Sequence, residues 1–326
     1  MKRRDALKTM AGLVATSVLS GVARAAQQAE DDDIPLPVAY RKIYPTFEKL
    51  PIEVSGLATG LSLIAGPGGN ITGLVGPDGL LMVDAFLPSR SADLIRVVRK
   101  LGAGPITLIN THWHFDHSGG NAALAEAGAK IVAHENTRTR LSSEQYVVDL
   151  QMRFPAPPAA ALPVVTLRDS ATFFLNGEEI HVAHAPSAHT DGDLFIHYRK
   201  ANVLQTGDLF FNGLYPNIDS SSGGWIGGMI AASDVLLEIA DAKTKIIPGH
   251  GALGTRDDLK AFRSMLAEAR EKIEPLVRAG KTVDEAVAAR PLASLNARWG
   301  KGSFKGSHFA RLVYSGLAKH REKQSS

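Results

Sequence analysis

The segment Thr111-His112-Trp113-His114-Phe115-Asp116-His117 contains four side chains of the type that binds metal ions, all within six residues. It follows Ile106–Asn110, whose apolar run predicts a buried strand. His112 and His114 are two residues apart, so on an extended backbone they point to the same side. Burying three histidines and an aspartate together without a metal would leave polar groups unpaired. The alternative is an exposed polar loop, but the spacing favours a metal centre at the end of a strand.

Three more candidate ligands occur later in the chain, each just after a predicted strand and beside glycine or proline. They are His189 after Glu179–Ala185, Asp208 after Asn202–Gln205, and His250 after Thr244–Ile247. Alone, each short motif is typical of a turn or a helix cap. Residues at the carboxyl ends of several strands can meet at one edge of a sheet. The motifs taken in order therefore predict a single site.

The composition restricts the chemistry of this site. The chain has 326 residues, of which 44% are hydrophobic and 21% charged, and it contains no cysteine. The apolar fraction excludes disorder as the main state. The lack of cysteine excludes disulfides, thiol nucleophiles, iron–sulfur clusters and cysteine-ligated zinc. Histidine and carboxylate side chains remain as the strong metal ligands.

The N-terminal segment 1–25 has the three parts of an export signal: a basic start, a short uncharged stretch and a small-x-small cleavage site at Ala23-Arg24-Ala25. Its Arg3-Arg4 pair resembles a bacterial twin-arginine signal. Ala6 departs from that pattern, and an ordinary secretory signal is the alternative. We expect a periplasmic protein with no lasting membrane anchor after cleavage. Residues 26–51 are predicted to be an extension that leads into the fold.

The net charge of +3 comes from the same N-terminal segment. Residues 1–25 hold five basic residues and one acidic residue, so 31 basic and 32 acidic residues remain in the rest of the chain. A nearly neutral body gives no basic footprint for nucleic acid. We expect a small-molecule substrate and no nucleic-acid partner, and the sequence predicts no particular oligomeric state.

The hydrophobic patterns predict two β-rich halves, each flanked by helices. The first starts near residue 52 and includes Leu57–Ile64 as one strand; the second starts near residue 164. Such a pattern predicts an α/β protein with a layered α/β/β/α sandwich over residues 52–275. Residues 276–326 are predicted to be a helical C-terminal tail.

The ligand motif resembles that of the metallo-β-lactamase superfamily, and the resemblance covers roughly Ile52 to Arg270. It implies a four-layer αββα sandwich with a dinuclear metal site, usually two zinc ions, between the sheets. Imidazole and carboxylate ligands also suit iron or manganese. Carried over position by position, the resemblance implies a first site of His112, His114 and His189, a second of Asp116, His117 and His250, and Asp208 between the two.

Two metals in such a site can share a hydroxide and polarise a substrate oxygen. In this reading Asp116 is both a ligand and the catalytic residue that orients the hydroxide. Asp84, at the end of a predicted strand, is a candidate acceptor of a ring N–H from a ligand histidine. A turn carboxylate is the alternative for Asp84.

The stretch 210–225 follows the bridging aspartate and is expected to border the mouth of the site. It contains no lysine or arginine that could hold a substrate carboxylate. Its candidate substrate contacts are Asn212, Tyr215 and Ser221, with Ser220 and Ser222 beside them. A glycine- and serine-rich surface loop is the alternative.

The sequence thus predicts a periplasmic dinuclear zinc hydrolase that uses a metal-bound hydroxide to open an amide or ester bond. The expected substrate is β-lactam-like or lactone-like. The alternatives are a thioester hydrolase similar to glyoxalase II, an aryl-ester hydrolase, an oxidoreductase similar to the iron sulfur dioxygenases, and a metal-binding protein without activity.

Overall fold

The structure is a computed structural model that describes residues 35–325. The predicted export signal over residues 1–25 lies outside the described residues. Within them, no helix is long and apolar enough to cross a membrane.

The first sheet has seven strands, in the order β1-β2-β3-β4-β5-β6-β9. These are β1 (Glu53–Ala58), β2 (Leu61–Ala65), β3 (Ile71–Gly76), β4 (Gly79–Val83), β5 (Ile106–Ile109), β6 (Lys130–His134) and β9 (Val165–Leu167). Strands β1 to β4 are antiparallel, whereas β4, β5, β6 and β9 are parallel. The prediction of one strand over Leu57–Ile64 was wrong, because Gly60 takes a φ of +72° and reverses the chain between β1 and β2.

The second sheet has five strands, in the order β10-β11-β12-β13-β14. These are β10 (Ser170–Leu175), β11 (Glu178–Ala185), β12 (Asp193–Tyr198), β13 (Val203–Gln205) and β14 (Lys245–Ile247). The β10–β11 hairpin turns at Asn176-Gly177, both at positive φ, as an Asn-Gly turn predicts. A separate hairpin pairs β7 (Gln145–Val147) with β8 (Met152–Phe154).

Ten helices flank the sheets in the described residues. They are α1 (Leu36–Phe47), α2 (Ser91–Leu101), α3 (Phe115–Ser118), α4 (Asn121–Glu126), α5 (Glu135–Leu141), α6 (Ile226–Ile239), α7 (Arg256–Arg278), α8 (Val283–Ala288), α9 (Asn296–Trp299) and α10 (Gly306–Ser325). Single 3-10 turns occur at Pro88–Arg90, Ala159–Ala161, Gly207–Leu209, Ser220–Ser222 and Ala293–Leu295. The long α7 begins with a reciprocal capping box between Thr255 and Asp258.

Three apolar clusters define the layers. One lies between the two sheets, where Val83 and Ile109 share a core with Val182 and Ile196. A second packs α2 and α4 on the outer face of the first sheet. The third packs α6, α7 and α10 against the second sheet. The predicted four-layer α/β/β/α sandwich is therefore confirmed.

Both ends of the described chain join this architecture. Leu36 of α1 belongs to the same apolar cluster as Trp299, Phe309 and Val313 near the C-terminus. The described part of the predicted extension is thus a packed helix, and residues after 275 share a core with the sandwich. Burial of these apolar side chains stabilises the packing by removing their surface from water.

The strand directions place the candidate site. Strands β4 and β5 are parallel, and β13 and β14 are parallel. The loops that follow these strands meet at one edge of the sandwich, where the Leu194 N–H donates to the Thr111 carbonyl at 2.7 Å and the Asn70 N–H to the Gly249 carbonyl at 2.8 Å. These cross-sheet hydrogen bonds hold the two ligand-bearing edges together.

Candidate metal centre

The seven predicted ligands lie together in two groups. In each group the ligating atoms are all within 4.8 Å of one another. One group is His112, His114, His189 and Asp208; the other is Asp116, His117 and His250. The partition matches the one that the family resemblance implies, with Asp208 among the first group.

Four of the histidines use one ring nitrogen to hold the imidazole in place. His117 Nδ1 donates to Asp84 Oδ2 at 2.8 Å, and His189 Nδ1 donates to the Asn217 carbonyl at 2.8 Å. Because a carboxylate and a carbonyl can only accept, these nitrogens must carry the hydrogen. The other nitrogen of each ring then presents a lone pair.

The other two anchored rings are His112 and His114. His112 Nδ1 lies 3.1 Å from Thr111 Oγ1, and His114 Nε2 donates to Asp219 Oδ2 at 3.2 Å. Such outer contacts fix ring orientation in metal sites.

The free nitrogens of these rings face one another. His189 Nε2 lies 2.9 Å from His114 Nδ1 and 3.2 Å from His112 Nε2. In the second group, His117 Nε2 lies 3.4 Å from His250 Nε2. In the first group, lone pairs aimed at one another at these distances repel unless a cation lies between them. The donor set therefore fits divalent metal ions.

Asp208 lies between the two groups. Its Oδ2 is 3.3 Å from His189 Nε2, and its Oδ1 is 3.1 Å from His117 Nε2 and 3.4 Å from His250 Nε2. Oδ1 is buried and accepts no hydrogen bond. A buried carboxylate oxygen that has only these imidazole contacts and no hydrogen bond is poorly satisfied, and a cation on each side would satisfy both oxygens.

The two ligand groups differ in how readily their histidines carry a positive charge. Burial lowers the pKa of His189 to about 4, and burial together with His117 holds the pKa of His112 well below its usual range. Burial acts in the same direction on His250, but Asp208 and Asp116 outweigh it and raise its pKa to about 9. The carboxylates therefore stabilise a cation in the second group, and metal binding there would release protons.

Asp84 is fully buried and occupies a left-handed conformation with φ of 69°. Its Oδ1 accepts the Thr111 N–H at 2.7 Å, while its Oδ2 accepts from Thr111 Oγ1 and His117 Nδ1. The structure thus places Asp84 where a ligand-positioning carboxylate would lie. Its backbone costs on the order of 1 kcal/mol of strain, which the surrounding bonds hold.

Two positioning aspartates were missed by the sequence analysis. Asp219 accepts from His114 and from the Ser221 and Ser222 N–H groups, and Asp193 Oδ2 accepts the His189 N–H at 2.7 Å. Burial raises the pKa of Asp193 to about 7. For Asp219 the sequence contained a signal, because an aspartate before Ser-Ser-Ser-Gly is a typical cap.

The predicted substrate contacts are not placed at the ligands. The Asn212 amide donates to the Ala252 carbonyl at 3.0 Å, and the Tyr215 hydroxyl donates to Asn296 Oδ1 at 3.1 Å. Ser221 Oγ accepts the Val148 N–H at 2.9 Å. All three side chains connect loops, although the ring of Tyr215 still lines a cavity above the ligands.

Two glycines pack directly against the site. A Cβ on Gly69 would overlap the His117 ring, and a Cβ on Gly249 would overlap Asp208 Oδ1. The His117 ring cannot move aside without losing its bond to Asp84. Both positions therefore require glycine, which no local turn motif indicates.

Gly69→Ala is expected to displace His117 and to lower metal occupancy of the second group, with a fall in turnover of at least about tenfold. Metal content by elemental analysis and the rate on the same preparation check this. Gly56→Ala is the matched control, because a Cβ at Gly56 meets no atom within 4 Å. Full metal content and an unchanged rate in the Gly69 variant would contradict the prediction.

A family model described as the metallo-beta-lactamase superfamily matches residues 65–277. The chain belongs to this superfamily. The matched residues include all seven candidate ligands. The resemblance inferred from the sequence is therefore confirmed.

Curated relatives of this superfamily member have hydrolase names. The protein named acyl-coenzyme A thioesterase MBLAC2 from Bos taurus is 29% identical over 164 residues, which is 45% of this chain and 56% of that protein. The protein named hydroxyacylglutathione hydrolase from Gloeobacter violaceus is 29% identical over 126 residues, 39% of this chain and 43% of that protein. The chain thus spans about half the length of these two relatives.

Solved structures agree in fold. The DIM-1 metallo-beta-lactamase superimposes with a TM-score of 0.54 at 19% identity, covering 68% of this chain and 100% of that one. A metallo-beta-lactamase from Pontibacter korlensis gives 0.53 at 20% identity, covering 67% and 99%. At this identity the likeness concerns the fold alone.

Proposed function

We propose that this superfamily member is a dinuclear metal-dependent hydrolase that cleaves ester or thioester bonds. The observation that carries the proposal is the position of Asp208, whose two oxygens face two separate groups of ligand nitrogens. Two divalent ions held by these residues would lower the pKa of coordinated water and polarise a carbonyl oxygen.

The chain's own residues supply positioning and proton transfer. Asp116 Oδ2 lies 3.2 Å from His250 Nε2. Burial would raise the pKa of Asp116, but His117 and His250 outweigh it and hold the pKa below its usual value. Asp116 is therefore a carboxylate at neutral pH and can orient an attacking water and accept its proton. Asp84 and Asp219 hold His117 and His114 in the required orientation.

We infer that zinc is the metal, with iron or manganese as substitutes. The ligands are imidazoles and carboxylates without thiolates, which zinc accepts and which also suit iron and manganese. The ligands form two groups, which supports two metal ions per chain.

An ester or thioester is favoured over a β-lactam as the substrate. Two of the curated relatives carry the names acyl-coenzyme A thioesterase and hydroxyacylglutathione hydrolase, and both names denote hydrolysis of an acyl group from a thiol carrier. Within residues 35–325, no lysine or arginine lines the cavity above the ligands. A substrate carboxylate would therefore find no lysine or arginine side chain to pair with in the described lining.

A substrate panel on the zinc-loaded protein tests the proposal. Para-nitrophenyl esters, an acyl thioester, a lactone, S-lactoylglutathione and nitrocefin are compared, with metal content measured on the same sample. We expect two zinc ions per chain and turnover of esters or thioesters well above that of nitrocefin. Nitrocefin as the best substrate, or one iron per chain with oxygen-dependent activity, would contradict the proposal.

We also propose that the protein is exported to the periplasm by the twin-arginine route. Arg3→Lys together with Arg4→Lys is expected to retain the precursor in the cytoplasm, because the receptor reads the arginine pair rather than its charge. Cell fractionation and immunoblotting measure the distribution. Normal periplasmic recovery of the double variant would favour an ordinary secretory signal instead.

A further inference from the structure

A cavity of about 430 Å³ lies directly above the ligands. Four ligand side chains form its floor: His114, Asp116, Asp208 and His250. A group bound in this cavity would therefore touch the place where the scissile bond must sit. The volume lies within the range of pockets that bury most of a small ligand.

The walls of this cavity are apolar and aromatic. Phe115 stacks on Phe154 with ring centroids 5.1 Å apart, and Tyr44 packs against Phe115 at 5.4 Å. Tyr40 lies near the start of the described chain and Phe304 near its end, and their ring centroids are 6.5 Å apart. These ring contacts connect helix α1, the β7–β8 hairpin and the segment before α10 into one wall.

The lining is poor in charge. Among the described residues that line it, Glu53 is the one charged side chain apart from the ligands. An anionic group held by the walls, away from the ligand floor, would meet Glu53 and no lysine or arginine among the described lining residues, which is unfavourable in a low dielectric. An uncharged hydrocarbon group would gain free energy by leaving water.

Much of the wall lies outside the part of the chain that the family model matches. Tyr40, Phe47 and Leu50 precede residue 65, and Phe304 follows residue 277. The matched region thus supplies the ligands, whereas segments outside the matched region form part of the wall above them. Substrate selection is expected where the chain departs from the shared scaffold.

We propose that this cavity is an acyl-binding chamber for an uncharged, apolar acyl group of medium length, and that residues 40–50 and Phe304 set this specificity. The inference rests on the proposed ester or thioester hydrolase function and names its substrate class. Each added methylene of the acyl group would favour binding until the chamber is filled.

The experiment compares para-nitrophenyl acetate, octanoate and hemisuccinate on the zinc-loaded protein. We expect kcat/KM for octanoate to exceed that for acetate by at least about tenfold, and hemisuccinate to be the poorest of the three. Phe304→Ala is expected to lower kcat/KM for octanoate through a higher KM, by about tenfold more than it lowers kcat/KM for acetate, with zinc content unchanged. Phe174→Ala is the matched control, because that side chain is 74% exposed on the second sheet.

A second variant keeps the test valid if Phe304→Ala fails to fold. Leu50 lines the chamber but is 41% exposed, so Leu50→Arg adds a cation with little effect on folding. It is expected to raise kcat/KM for hemisuccinate and to lower it for octanoate. Val235→Arg, at a residue 45% exposed on α6, is expected to do neither.

Binding of the neutral dye Nile red gives a readout without turnover. Zinc-loaded protein is expected to bind the dye, to release it to a medium-chain methyl ketone, and to bind it more weakly after Phe304→Ala or Leu50→Arg. Ester turnover without chain-length dependence, together with no dye binding, would overturn the chamber while leaving the hydrolase function in place. Dye binding that responds to both variants, with no ester or thioester cleaved, would overturn the function and leave the chamber in place.

Discussion

Asp208→Asn is expected to reduce metal binding and to lower turnover by at least about tenfold. The substitution keeps the shape of the side chain but removes one negative charge from between the two ligand groups. The first group depends on that charge most, since its other members are the neutral rings of His112, His114 and His189. The second group retains Asp116. Zinc stoichiometry and the ester hydrolysis rate, measured on one preparation, check the result.

The competing explanation is that Asp208 only caps the turn Gly207–Leu209. An asparagine caps as well as an aspartate, so under that explanation the variant would keep its metal and its rate. The Asp208 Oδ1 accepts no hydrogen bond in the structure, which argues against a capping role. Asp241→Asn is the control, because exposed Asp241 does accept the Lys243 N–H at 2.7 Å.

Combined replacement of His112 and His114 by alanine is expected to abolish metal binding in the first group and to lower turnover by more than about a hundredfold. Two of its four ligands are lost, and no neighbouring side chain can replace both. The chain should still fold, because the apolar core between the sheets does not include either ring. Elemental analysis, circular dichroism and the hydrolysis rate together check these three expectations.

The matched control replaces His181 and His197 by alanine. These two residues are direct partners on β11 and β12 of the second sheet and belong to neither ligand group. This control also removes two imidazoles, so any shared loss of metal would reflect histidine number rather than position. Retention of two zinc ions by the His112 and His114 double variant would mean that the ligand assignment is wrong.

The chamber proposal and these two predictions probe different parts of the molecule. The ligands lie inside residues 65–277, which the superfamily shares, and their loss should affect every substrate equally. Wall residues such as Leu50 and Phe304 should instead change the ranking of substrates with metal content unchanged. Observing both patterns would separate the chemistry of the site from its selectivity.

The sequence by itself determined the fold class and the convergence of the candidate ligands on one site, whereas their division into two groups came from the family resemblance. The fold class and the convergence depend on short-range patterns: apolar strands, turn residues, and His and Asp placed just after strand ends, as at His112 and His250. Parallel strands bring their carboxyl ends to one edge, so such residues meet even though they are far apart in the chain. Asp84 could be suggested for the same reason, although its left-handed backbone could not.

Only the tertiary structure decided what surrounds those ligands. The partner of His114 is Asp219, 105 residues away, and the glycine that makes room for His117 is Gly69 on the opposite side of the site. The chamber wall joins Tyr40 to Phe304 across most of the chain. None of these contacts has a local pattern, because each depends on the way separate loops and both ends of the described chain pack over the sheet edge. A sequence shows which residues can bind a metal, whereas the packing of distant segments decides which residues position the ligands and which substrates can reach them.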